Sequence, residues 1–263
     1  MFNLTPMVKK ILIINIALLA LGSILNFDLS AIFGVHYIFS DSFYIFQYLT
    51  YMWLHAGFGH LFSNMLAVIV FGPMLERVWG PKRFVTFYLI TGIGAGLLFG
   101  VADTIEKGNL KSDMEAYISH PNPEDFYIYV HEYQSRYDMV ALGDFADKYY
   151  DDASNSSYIE QSVTVVNQIY EDLSNIPMVG ASGAVFGILL AFAMLFPNTE
   201  LLLLIPPMPV KAKYLVLFYG LYELYSEINR STGDNVAHLA HLSGMLIAYI
   251  LLKYWQQKRG NYY

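Results

Sequence analysis

The chain has 263 residues, 56% of them hydrophobic and 14% charged, with a mean hydropathy of +0.39, which is too apolar for a soluble domain of this length. Its formal charge of −7 gives no reason to expect a nucleic-acid partner, and the absence of cysteine excludes disulfides and thiolate metal sites. The bilayer is therefore the first partner to consider.

Apolar runs able to cross, or nearly cross, a bilayer occur at about 11–27, 61–79, 84–101, 180–196, 212–226 and 236–254, since roughly 20 helical residues span the hydrocarbon. Six spans are expected. The first follows Lys9 and Lys10 with no small-residue cleavage site behind it, so it reads as a retained anchor. Cytoplasmic loops are enriched in Lys and Arg. Lys9 and Lys10, then Arg77, Lys82 and Arg83, then Lys211 and Lys213, and finally Lys253, Lys258 and Arg259 all fall on one side of a six-span arrangement. The loop at about 28–59 has no basic residue and the last exterior loop has only Arg230, so both termini are expected to be cytoplasmic.

Residues 102–176, between spans three and four, hold fifteen acidic and four basic side chains, more than the whole net charge. The organisation expected is spans one to three in 1–101, an acidic exterior insertion in 102–176, and spans four to six with a short cytoplasmic tail in 177–263. In the insertion, Ser157 and Glu160 have capping-box spacing, and Ile159, Val163, Val166, Tyr170 and Leu173 follow at helical intervals. Upstream, Pro123 and two acids open a segment that repeats Phe126, Tyr129, Val130, Tyr133 and Tyr137 on one face. A small helical unit is expected, its tyrosines forming its own packing stripe. It either caps a site below it or decorates the exterior passively.

Polar side chains inside spans are costly and mark candidate sites. Span two begins with His55, His60 and Asn64; span four with Gly180, Ser182 and Gly183; span six with His238 and His241. All three sets fall at the exterior ends of their helices. Acyl transfer needs a hydroxyl, a base to take its proton, and donors for the developing oxyanion. Ser182 offers the first and a span-six histidine the second. Gly183 with Gly187, and Gly244 with Ala248, are small residues four apart that let spans four and six approach closely. Phe186, one turn after Ser182, is placed to stack on the imidazole, and His60 and Asn64, at i and i+4, can donate to one oxygen.

Plainer readings exist for each set. Gly-x-Ser-Gly in an apolar segment can be a packing surface, His60 and Asn64 can satisfy interhelical hydrogen bonds, and His238 can be structural at the helix entrance. A zinc site made of His55, His60, His238 and His241 lacks a carboxylate in the helical spacing of a zinc protease. Residues 92–96, Gly-Ile-Gly-Ala-Gly, sit mid-span and read as a packing face. Glu76 and Arg77 read as a structural ion pair or as topology charges.

Three motifs together, His60-x-x-x-Asn64, Gly180-x-Ser182-Gly183 and Ala240-His241-x-x-Gly244-x-x-x-Ala248, resemble the rhomboid family of intramembrane serine proteases. The resemblance covers the six-span core and not the insertion. It implies an all-α, polytopic, six-transmembrane-helix bundle. It implies Ser182 as nucleophile and His241 as general base, a dyad with no acidic third member. His60, Asn64 and the Ser182 backbone N–H would form the oxyanion hole, with His55, Gly180, Gly183, Phe186 and Gly244 in support. Where well-known bacterial members carry Trp-Arg ahead of the first histidine, this chain has Phe46 and Gln47; where they often have Tyr after the nucleophile, it has Phe186.

The function expected is serine endopeptidase cleavage in or next to transmembrane segments of membrane-protein substrates, without metal or organic cofactor, by an active site that opens to the exterior side of a bacterial inner membrane. The rival readings are a non-proteolytic relative that binds client helices and a proton-coupled transporter.

Overall fold

The computed structural model describes residues 4–133, 140–204, 207–229 and 236–259. Tyr137 and Arg230, invoked above, lie outside the described residues.

Helix α1 (Pro6–Leu25) starts with proline at its first position, where a missing N–H costs nothing. Its remaining free N–H groups are met from another helix: Met7 N and Val8 N each donate to the Glu76 carboxylate at 3.0 Å, and the Thr5 hydroxyl donates to the same group. Glu76 is thus structural, but what it holds is the positive end of α1.

The loop after α1 contains two single-turn helices, α2 (Ser30–Phe33) and α3 (Gln47–Thr50), and a 3-10 turn at Tyr51–Trp53. Gln47 is 0% exposed and ties the loop together. Its Oε1 accepts from His36 N and Tyr44 N, both at 3.2 Å, while its Nε2 donates to Ile32 O at 3.0 Å and Ser42 O at 2.8 Å. One neutral amide thus anchors the loop with two acceptor and two donor bonds.

Helix α4 (Phe58–Trp79) leads through Gly80 into α5 (Pro81–Ser119). Gly80 has φ +78°, a left-handed conformation in which a Cβ is strained. No break occurs at the expected end of span three. The 39 residues of α5 form one helix, about 58 Å long at 1.5 Å per residue, almost twice the hydrocarbon thickness. Beyond residue 101 the segment turns polar but stays rich in helix formers, and proline first appears at Pro121.

On this extension sit α6 (Pro123–Tyr133), α7 (Val140–Asp151) and α8 (Ser156–Ser174). Leu110, Met114 and Tyr117 of α5 pack with Phe126, Val166 and Ile169 in a second hydrophobic core. Of the expected stripes, Phe126, Tyr129, Val130, Val166 and Leu173 are buried, and Tyr133, Ile159, Val163 and Tyr170 pack against them. Tyr117 donates to Ser162 Oγ and Tyr133 to Asp113 Oδ2, each at 2.5 Å. Burial pushes the hydroxyls of Tyr117, Tyr129 and Tyr133 above the ordinary tyrosine value. The capping box expected at Ser157 is not formed. Asn155 is the N-cap, accepting from Ser157 N at 3.0 Å, and the Ser157 hydroxyl accepts from Gln161 instead. Asn155 sits one residue before the helix and two before Ser157, which puts its carbonyl in reach of an N–H that Ser157's own side chain cannot cap.

Helix α9 (Ser182–Leu195) is 14 residues long, about 21 Å, and therefore short for a full crossing. It is apolar on every side, with Ala184, Ile188, Ala191 and Phe192 fully enclosed among α4, α5 and the two helices that follow. A hairpin not anticipated from the sequence, β1 (Glu200–Leu204) with β2 (Pro207–Lys211), leads to α10 (Ala212–Ile228) and α11 (His238–Arg259).

The outer faces are apolar too. Ile13 and Ile24 of α1, and Leu217, Phe218, Leu221 and Ile228 of α10, are all more than half exposed. Such a surface suits lipid rather than water. Helices α1, α4 and α5 are each long and apolar enough to cross a membrane. The architecture is an all-α membrane bundle around a central α9, with a helical unit built on the end of α5.

Candidate active site

The head of α9 is held by the strand-like segment before it. Val35 N donates to Met178 O at 2.9 Å and Met178 N to Val35 O at 2.8 Å, pinning the loop after α1 to the approach to Gly180. Gly180 N then donates to Tyr51 O at 3.0 Å, and Tyr51 in turn donates its hydroxyl to Gly92 O at 2.7 Å. Gly180 has φ +131°, and a Cβ there would lie 2.7 Å from Cε1 and 2.8 Å from Nε2 of His60 and 3.7 Å from Ser182 Oγ. Glycine is required twice over, by backbone conformation and by the imidazole against it.

Helix α11 reaches the same place. A Cβ on Gly244 would collide with the carbonyl oxygen of Gly183, so the two helices touch backbone to backbone at these glycines. On the other side of α9, a Cβ on Gly183 would lie 2.6 Å from Ala95 Cβ, and one on Gly187 would lie 3.0 Å from Thr91 Cβ, so α5 approaches closely as well. Gly92, Gly94 and Gly96 of α5 face Met52, Ile247 and Tyr51, which makes the glycine cluster of α5 a packing face.

One turn before Gly244, the His241 ring lies flat on Phe186, with centroids 4.3 Å apart and planes 7° from parallel. Ser182 thus heads the helix that presses on α11 one turn from His241. Ser182 Oγ has no hydrogen-bond partner among the described residues, His241 included. Catalytic hydrogen bonds commonly tighten only when substrate is bound. On the third side, His55 meets His60 edge-on at 5.0 Å and 72°. Asn64 Nδ2 donates to His60 O at 3.0 Å, which spends one of its two N–H bonds on its own helix.

A further member comes from α10. Glu223, 5% exposed, places Oε2 2.8 Å from His241 Nδ1 and 2.5 Å from His238 Nδ1. The resemblance implied no acidic neighbour for His241, yet a carboxylate is hydrogen-bonded to its imidazole. The sequence carried no local sign of it, because Glu223 lies on a different helix from either histidine and reads as an ordinary acid near a helix end. Of the four histidines considered for a metal, His55 pairs with His60 and His238 with His241, and among the described residues only the second pair has a carboxylate beside it. Glu223, His238 and His241 have their ligand-capable atoms within 4.8 Å of one another. The 2.5 and 2.8 Å separations are hydrogen-bond lengths, shorter than the roughly 3.3 Å between ligands around a tetrahedral zinc with bonds of about 2.0–2.1 Å.

The family model for the rhomboid domain matches residues 42–107 and 156–257, more than half of the chain and all three of these converging segments. This chain belongs to the rhomboid family. Local similarity links this rhomboid to RHOMBOID-like protein 6, mitochondrial, of Arabidopsis thaliana, 50% identical over 50 residues, covering 19% of this chain and 16% of that protein. It is also similar to the putative rhomboid protease YdcA of Bacillus subtilis (strain 168), 48% identical over 40 residues, 15% of this chain and 20% of that one. A third relative, Inactive RHOMBOID-like protein 8 of Arabidopsis thaliana, is 42% identical over 57 residues, 22% of this chain and 16% of that protein. The similarity thus spans a fifth or less of the length of these relatives. No solved structure matches the chain. As a rhomboid it is an integral membrane protein.

Proposed function

We propose that this rhomboid is an active intramembrane serine endopeptidase with Ser182 as nucleophile and His241 as general base. The observation that carries the reading is the backbone contact of Gly183 with Gly244. It brings the head of α9 against α11, where Phe186 holds the His241 ring flat one turn away.

In the first step His241 Nε2 takes the Ser182 proton as Oγ bonds to the scissile carbonyl carbon, and the carbonyl electron pair moves onto oxygen. The Ser182 N–H, in the first turn of α9 where N–H groups have no partner within the helix, donates to that oxyanion, joined by His60 and by the second N–H of Asn64. Collapse of the intermediate breaks the C–N bond, and His241 returns its proton to the leaving amine. Water then repeats the sequence: it gives a proton to His241 and its oxygen to the acyl carbon, and Ser182 leaves with the proton. His55 supports His60, and Gly180 keeps the space that the His60 ring occupies. Substrate helices must unwind to offer a carbonyl, so small or helix-weakening residues are expected at the cleaved bond.

The basic residues favour cytoplasmic termini, which puts the heads of α4, α9 and α11 and the 102–176 insertion on the exterior side of the membrane. A bacterial inner membrane is the setting proposed. Transmembrane proteins are the substrates, and no nucleic acid, metal or organic cofactor takes part in the steps above.

The test is incubation of the purified enzyme with a panel of single-span membrane proteins. Cleavage by the wild type that disappears in Ser182→Ala is the expected result; equal cleavage by both would overturn the assignment.

A further inference from the structure

The contact between Glu223 and the two histidines goes beyond a dyad, and what it does rests on the reading of His241 as base. We infer that Glu223 is a positioning residue that fixes His241 in the one neutral tautomer able to accept the Ser182 proton, with His238 holding the carboxylate in place.

The argument is one of donors and acceptors. An ionised carboxylate can only accept hydrogen bonds. Oε2 lies within bonding distance of Nδ1 of His241 and Nδ1 of His238, so each ring must carry its proton on Nδ1. A neutral imidazole has one proton. With Nδ1 protonated, Nε2 of His241 carries the lone pair, as a base facing a serine hydroxyl must. A protonated Glu223 would place its O–H against one Nδ1 and force that ring into the opposite form. A buried carboxylate stays charged where hydrogen bonds replace its water, and here two ring N–H groups converge on one oxygen. When His241 takes the serine proton, its positive charge arises in direct contact with the carboxylate and is stabilised there.

His238 has a defined part in this arrangement. It begins α11, one turn before His241, and its Nδ1 reaches the same oxygen, so two ring nitrogens hold Glu223. A carboxylate with one donor could swing away; one with two is fixed.

The test uses the full-length protein in detergent or vesicles. In Glu223→Gln the amide offers an N–H to Nδ1 and favours the wrong tautomer, so kcat is expected to fall at least 100-fold with KM within about threefold. Glu223→Asp, which keeps the charge, should recover part of that loss, and His238→Gln should lower kcat by a smaller factor. Wild-type kcat in Glu223→Gln would overturn the inference. A loss that tracks only the amount of folded protein, equal in the Gln and Asp variants, would overturn it too.

A measurement on the unaltered chain covers variants that fail to fold. Nitrogen-15 shifts of the imidazole rings, assigned by comparison with His241→Ala, should show His241 protonated at Nδ1 and bare at Nε2; the reverse pattern refutes the proposal. Activity abolished by a chelator and restored by zinc would replace it with a metal site. A wild type that cleaves nothing would sink the proteolytic reading while leaving the ring tautomer as a separate result.

Discussion

Replacing Gly244 with alanine adds one methyl group at the point where α11 touches α9. Built on the backbone, that Cβ overlaps the Gly183 carbonyl oxygen and lies 2.7 Å from the carbonyl carbon and 3.1 Å from Cα, against 3.4–4 Å for ordinary contact. The obstacle is backbone, so no side-chain rotation relieves it. The helices must part by about 1 Å, and a shift of that size between reacting groups costs on the order of 100-fold in rate. Because Ser182 neighbours Gly183 and His241 is one turn from Gly244, the displacement falls between nucleophile and base. The assay is steady-state cleavage of a single-span substrate together with thermal unfolding. A kcat lowered about 100-fold in protein that still folds is expected. Wild-type kcat in Gly244→Ala would refute the claim that this contact sets the geometry of the site.

Gln47→Leu keeps the volume but leaves two buried N–H and two C=O groups of the loop after α1 unpaired, which at about 1–3 kcal/mol for a buried unsatisfied group should loosen the loop first; hydrogen exchange across 32–47 should quicken. Glu76→Ala removes the acceptor for the first turn of α1 and should cost about 2–3 kcal/mol, read as a lowered unfolding midpoint, whereas an unchanged midpoint would mean that the cap is idle. Phe186→Leu should lower kcat with little change in KM by freeing the His241 ring, and an unaltered kcat would show the stack to be incidental. Tyr117, Tyr129 and Tyr133 are raised by burial, so their contribution to the insertion's stability is complete below about pH 10, the unfolded tyrosine value, and is lost as pH climbs above it. Phenolate absorbance should therefore appear late and together with loss of helix; early, ordinary titration with the helices intact would contradict the burial.

The spans were legible because hydrophobic runs mark helices in lipid with little competition from other signals. The site motifs were legible because Ser182, His241, His60 and Asn64 each sit on such a run with small residues at the interval that close packing needs. What stayed hidden depends on contacts distant in sequence. Glu223 reaches His241 from another helix, and Glu76 caps a helix that begins 70 residues earlier. Gln47 stood out only as a departure from the Trp-Arg pattern, although its amide, with donor and acceptor on one group, can tie a loop without a charge. The continuation of α5 to Ser119 was obscured by its polar composition, since a change from lipid to water alters which residues are tolerated without ending the helix. Asn155 outcompeted Ser157 as cap by a shift of two residues, below what spacing alone resolves.

The central claim is that Ser182 is a nucleophile activated by His241, and covalent labelling tests it most directly. A fluorophosphonate should modify the folded protein at Ser182, mapped by mass spectrometry, and the adduct should vanish in His241→Ala as well as in Ser182→Ala. Labelling that persists undiminished in His241→Ala, or that falls on another residue, would contradict the account.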